Sequence, residues 1–249
     1  MSRIIMMTIS LFAVIIVNVI ARFFSLNGAT TSEIANRLPI LFIPADYVLL
    51  ILGVIVVLLF YWIFNFNKAG RKLSNTYQNR VASLFILCCL LHIAWIFLWH
   101  YGLFNWTVVV KLALLSLLLA FYFSYPKREN RLLGRIPFSL LVGWGVISTI
   151  ANVSYTLMIN DWSGMGLSDP LWTVIYLTIS TAFALHFMYH HRDYVMNLVF
   201  VWAFIGIAFR NGTEELFISA AASFLCATII TCIFLFSGKN TDNKNRVGA

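Results

Sequence analysis

The sequence predicts an all-α integral membrane protein with about eight transmembrane helices, and three observations carry that prediction. Of its 249 residues 61% are hydrophobic and only 10% charged, against about 25% charged in soluble domains. The apolar residues fall in long continuous runs rather than in alternation, which favours helices over a barrel. The basic residues gather at alternate ends of those runs, as the positive-inside rule requires. A net charge of +8 is then a consequence of topology, and nucleic acid is excluded as a partner; the lipid bilayer takes that place.

Taking about 20 residues per crossing, the runs place helices at roughly 4–24, 44–66, 81–101, 106–125, 136–159, 170–190, 194–210 and 214–237. The first follows Arg3 as a signal peptide would, but it lacks an A-x-A cleavage site and reads as a retained span. The second enters through Pro44 in LFIPADY. The third carries His92, Trp95 and His100, and the fourth holds Lys111, the one basic residue inside a span. The sixth and seventh are separated only by the turn HHRD (His190 to Asp193), and the eighth is rich in small residues. With both termini cytoplasmic, 13 of the 17 basic residues fall on the inner side, among them Arg71, Lys72, Lys127, Arg128, Arg131 and Arg135. The expected location is the cell membrane, of bacterial inner-membrane type. No loop is long enough for a soluble domain, and the polar tail after Ser237 is expected to be mobile.

The fifth run, RIPFSLLVGWGVISTIANVSYTL (Arg135 to Leu157), is oddly polar for a span. At 100° per residue Trp144, Ser148, Ala151, Asn152 and Tyr155 share roughly a 100° arc. Gly143 and Gly145 allow a neighbouring helix or a ligand to come close. A buried Asn amide needs partners, so Asn152 should face protein or a cavity rather than lipid. Two readings stand: hydrogen-bonding glue between helices, or the lining of a ligand site.

The order Trp144, Ser148-Thr149, Asn152 resembles the W-x3-A-T-x2-N pattern in the fifth helix of the TspO/MBR family, the tryptophan-rich sensory proteins or translocator proteins. LFIPADY (Leu41 to Tyr47) is similar to the family's entry into its second helix, and HIAWIFLWHYG (His92 to Gly102) to its third, with Trp95 at the usual tryptophan. Asn160 resembles the residue that closes the fifth helix. The likeness covers residues 1–160 as a five-helix region, leaving 161–237 as three additional transmembrane helices and 238–249 as a cytoplasmic tail. That organisation is similar to the longer bacterial branch of the family, where motifs like VFVWAFIGIA (Val199 to Ala208) recur. The sequence departs from the short form at Pro137, seven residues before Trp144, and at Leu52, Val56 and His92. It also lacks a Lys or Arg soon after Tyr155.

The resemblance implies a protein that binds, and transports or senses, a planar hydrophobic ligand such as a tetrapyrrole (haem or protoporphyrin) or a lipid. It implies no required cofactor and no catalysis. The expected lining is Trp144, Asn152, Thr149, Ser148, Tyr155, Trp95 and His92, with Asp46 and Lys111 at the outer mouth. Trp202 is a further deep tryptophan, whereas Trp62, Trp99, Trp106, Trp162 and Trp172 read as interfacial belts. Cys88, Cys89, Cys226 and Cys232 read as small packing residues. The stripe Ser219 to Cys226 serves either the bundle or a homodimer. A rival reading is a membrane metalloenzyme using His186, His190, His191 and Asp193; another is a structural or regulatory membrane subunit.

Overall fold

The computed structural model describes residues 2–70, 74–124 and 134–247. Among them there is no strand, and eight helices are long and apolar enough to cross a membrane. The all-α membrane architecture and the number of spans therefore agree with the sequence. Arg71, Lys72, Lys127, Arg128 and Arg131, which weigh in the charge count, lie outside the described residues.

The chain divides into two units, 1–40 with 52–162 and 41–51 with 163–249. The first holds α1 (Ser2–Phe23), the short α2 (Thr31–Ala35), α3 (Leu50–Gly70, from Leu52), α4 (Asn75–His100), α5 (Phe104–Ser124) and α6 (Ile136–Ile159). Helix α4 starts six residues before the apolar run because its first turns are polar and tied down. Ser74 Oγ accepts the Tyr77 N–H at 3.2 Å. Arg3, at the start of α1, donates to Asn79 Oδ1 and, at 2.9 Å, to Gln78 Oε1. An apolar ruler cannot see such turns.

Lipid tails are as apolar as leucine, so packing between spans rests on close van der Waals fit rather than on expulsion of water. Trp62 of α3 supplies much of that fit. It is 1% exposed, with Phe85 of α4, Phe121 of α5 and Phe138 of α6 at ring-centroid distances of 5.5, 5.9 and 4.9 Å. Each such pair contributes about 0.5–1.5 kcal/mol beyond its buried area. Trp62 is thus a core residue and not part of an interfacial belt. Trp99, 5% exposed, is corrected in the same way, whereas Trp106 is 62% exposed as a belt residue would be. Arg135, counted as a loop cation, is also buried; its guanidinium lies 4.2 Å over the Tyr122 ring and donates to the Tyr122 hydroxyl.

The second unit comprises a 3-10 turn (Asp46–Leu49), α7 (Asp169–His191), α8 (Tyr194–Asn211) and α9 (Leu216–Val247). Arg192 ends α7 in the left-handed region, with φ 52°. Asp193 then caps α8, its Oδ1 accepting the Met196 N–H at 3.0 Å. Segment 41–51 lies along α8. The Ala45 N–H donates to the Gly206 carbonyl at 3.1 Å, Trp202 Nε1 to the Val48 carbonyl at 3.0 Å, and Asn211 Nδ2 to the Leu41 carbonyl at 3.0 Å. Gly206 is required there, because a Cβ would overlap Val48 Cγ2 and sit 3.2 Å from Pro44 Cβ. Trp202 is therefore a clasp on the backbone of this segment rather than a cavity wall.

The small-residue face of α9 is used within the unit. Ile218, Ala222 and Ile229 are fully buried, and Ser219 Oγ donates to the Gly212 carbonyl at 2.7 Å. Helix α9 runs on to Val247, ten residues past Ser237.

Candidate functional site

Within the first unit the helices enclose a cavity of about 360 Å³, within the range of about 300–1,000 Å³ common for small-molecule sites. The spacing in α6 explains its contribution. Phe138, Leu141, Trp144, Gly145, Ser148 and Thr149 recur at three and four residues and present one helical face to the cavity. Gly145 has a second role, since a Cβ there would meet Leu115 Cδ1 of α5 at 3.3 Å; its absence lets α5 and α6 come together.

The cavity is apolar along most of its length, with Leu11, Leu59, Phe85, Leu118 and Phe121 among its walls. Its polar groups gather at one level. Lys111 of α5, 5% exposed, donates through Nζ to Ser148 Oγ at 3.1 Å. The same ammonium lies 4.0 Å from the centroid of the Trp95 ring, close enough for a cation–π attraction. Asn18 of α1 and His92 of α4 meet at 3.1 Å through Asn18 Nδ2 and the His92 Nε2, and both line the space.

Thr149 is unsatisfied, as is the indole N–H of Trp95. Thr149 is 5% exposed, and its hydroxyl has no hydrogen-bond partner. Helical hydroxyls in this protein normally donate to the carbonyl four residues back, as Ser116 and Thr156 do at 2.8 and 2.9 Å. At Thr149 that carbonyl belongs to Gly145, which already accepts from Ser148 Oγ at 3.2 Å.

Of the nine expected lining residues the structure brings Trp144, Ser148, Thr149, His92 and Lys111 to the cavity. The other four lie elsewhere. Asn152 is 3% exposed and spends its amide on Thr107 of α5, with Nδ2 and Oδ1 at 3.0 and 3.1 Å from Thr107 Oγ1. It is interhelical glue, one turn beyond the end of the cavity. Tyr155 packs beside it against Trp99 and Phe104, with centroids at 4.6 and 5.0 Å. Trp95 is not a wall either: it stands behind the site, under Lys111 and stacked on Trp99 at 5.8 Å. Asp46 starts the 3-10 turn of the second unit and is absent from the lining; among the described residues no Asp or Glu lines the cavity.

Sequence reasoning missed Asn18, which joins His92 from α1. The signal was present, because an amide inside an apolar span raises the same question that Asn152 raised. It also missed that Cys88 and Cys89 line the space; these two, like Cys226 and Cys232, are free thiols.

The histidines do not assemble a metal site. Among the described residues no group of three or more His, Cys, Asp or Glu could hold an ion. His186 lies 4.6 and 6.4 Å, ring to ring, from His190 and His191, while Asp193 is the cap of α8. His100 is a fastening, its Nδ1 at 2.9 Å from the Leu26 carbonyl and Nε2 at 3.0 Å from Thr31 Oγ1.

Compared with known proteins, the chain matches the family model described as TSPO-like protein over residues 4–235. That match takes in all eight spans, α7 to α9 included. No curated protein and no solved structure matches it.

Proposed function

Because the chain belongs to the TSPO-like protein family, we propose that it binds a hydrophobic small molecule, of tetrapyrrole or lipid class, inside the cavity of its first unit. The observation that carries this reading is a mostly apolar space walled by five membrane helices, with an aromatic side chain, Trp144, on one wall and a few polar groups at one level. Such a combination is the usual form of a small-molecule site: apolar area for affinity and a few polar groups for orientation. Binding of this kind serves either transport or sensing of the ligand. The charge bias of the loops supports an orientation with both termini cytoplasmic.

The test is titration of the purified protein with protoporphyrin while tryptophan fluorescence is followed. Saturable quenching is expected, reduced in Trp144→Phe, which removes the reporter on the wall. A second variant blocks the space itself. Gly53 lines the cavity, and a Cβ there meets nothing within 4 Å, so Gly53→Leu adds bulk at the wall from a position with room for its first carbon. Binding should weaken about ten-fold or more in that variant, a loss of about 1.4 kcal/mol. Quenching that saturates identically in the native protein and both variants would place the ligand elsewhere.

A further inference from the structure

The cavity has a polar end and an apolar end, and its polar end holds a lysine, Lys111, with no carboxylate among the described lining residues. Along α5 the lining runs from Lys111 to Phe121, about 15 Å at 1.5 Å per residue. Among the described residues no carboxylate lines the space, so none of them pairs with Lys111 there. The Lys111 ammonium has three donors, of which the structure uses one on Ser148. In the same cavity the Thr149 hydroxyl, next in the chain to Ser148, is buried with no partner. Buried polar groups in folded proteins are nearly all paired, and a buried lysine carries its charge only where a partner meets it. The unmet needs at this level are an anion and a hydrogen-bond acceptor, and a carboxylate is both.

We propose that the site recognises the carboxylate head of an apolar molecule, held by Lys111 and Thr149, with the apolar body directed toward Phe121 and Phe138. The inference rests on the binding reading above and adds the ligand's head group. One ammonium matches one carboxylate, and His92 is engaged with Asn18. The head could come from a long-chain carboxylic acid or from a carboxylate-bearing macrocycle.

Two matched pairs of probes test it, in lipid nanodiscs with tryptophan fluorescence as the readout. One pair is dodecanoate and dodecan-1-ol; the other is protoporphyrin and its dimethyl ester. Within each pair the apolar body is closely matched, and the head is an anionic carboxylate in one member and a neutral group in the other. A preference of about ten-fold or more for the acid is expected in at least one pair, and that pair names the source. Lys111→Met, of similar length and uncharged, should bring the acid down to the affinity of its neutral partner. Lys111→Arg should retain the preference, and an unchanged midpoint of thermal unfolding certifies that the variants are folded. Equal binding of acid and neutral probe in both pairs, or a preference that survives Lys111→Met, overturns the head-group inference and leaves the cavity reading standing. Failure of all four probes to bind overturns both.

Discussion

Asn152 and Thr149 lie three residues apart on α6, yet their substitutions should have opposite effects. Asn152→Leu removes an amide that meets Thr107 Oγ1 at 3.0 Å. The reported geometry also puts Asn152 Oδ1 at 3.1 Å and the Phe104 carbonyl at 2.6 Å from the same hydroxyl. One hydroxyl has one proton, so it donates to Phe104 or to Asn152 at any instant, not to both. The pair is therefore worth little more than one interhelical hydrogen bond. In membrane bundles such bonds average about 0.6 kcal/mol by double-mutant cycles, with a maximum of about 1.7. Thr107 keeps the Phe104 carbonyl when Asn152 is lost, so no orphaned donor raises the cost further. A cycle of Asn152→Leu, Thr107→Val and the double variant should thus return a coupling of about 0.6–1.7 kcal/mol. The assay is reversible unfolding in mixed micelles, with ligand titration run in parallel. Asn152→Leu should leave the affinity unchanged, because its side chain is one turn outside the cavity. Thr149→Val should do the reverse: stability equal to or above native, since it deletes a buried hydroxyl without a partner, and weaker binding of a carboxylate ligand. If Asn152→Leu lowers affinity without loss of stability, or if the coupling is zero, the assignment of glue and lining is wrong.

Two further outcomes follow from other parts of the fold. Gly206→Ala puts a methyl group into Val48 and Pro44, overpacking that should cost about 1–3 kcal/mol and appear as a lower midpoint of thermal unfolding. The cap of α2 should respond to pH: the Thr30 N–H donates to the Glu33 carboxylate, and that bond first, with the Thr30 side chain next, holds the carboxyl below its ordinary pKa. A depressed carboxylate stabilises the fold above its unfolded pKa and loses that contribution as pH falls through the folded value. Hydrogen exchange at residues 31–36, corrected for its intrinsic rate, should therefore accelerate in acid below about pH 4 in the native protein and show a smaller pH effect in Glu33→Gln.

The number of spans, their approximate limits and the polar face of α6 were legible in the sequence, because length, hydropathy and helical angle are properties of the chain read one residue at a time. The same arithmetic placed Trp144, Ser148 and Thr149 on one face, and the cavity is on that face. What it could not supply was depth. Asn152 and Tyr155 continue the same arc, but α5 closes on α6 at Thr107 and Phe104, and only the position of that second helix decides where the space stops. Lys111 illustrates the division most plainly. Its place within a span is written in the sequence; its contact with Ser148 and its seat on Trp95 arise from three helices meeting. Periodicity fixes which way a side chain points, and tertiary packing decides whether it points at a neighbour or at a space.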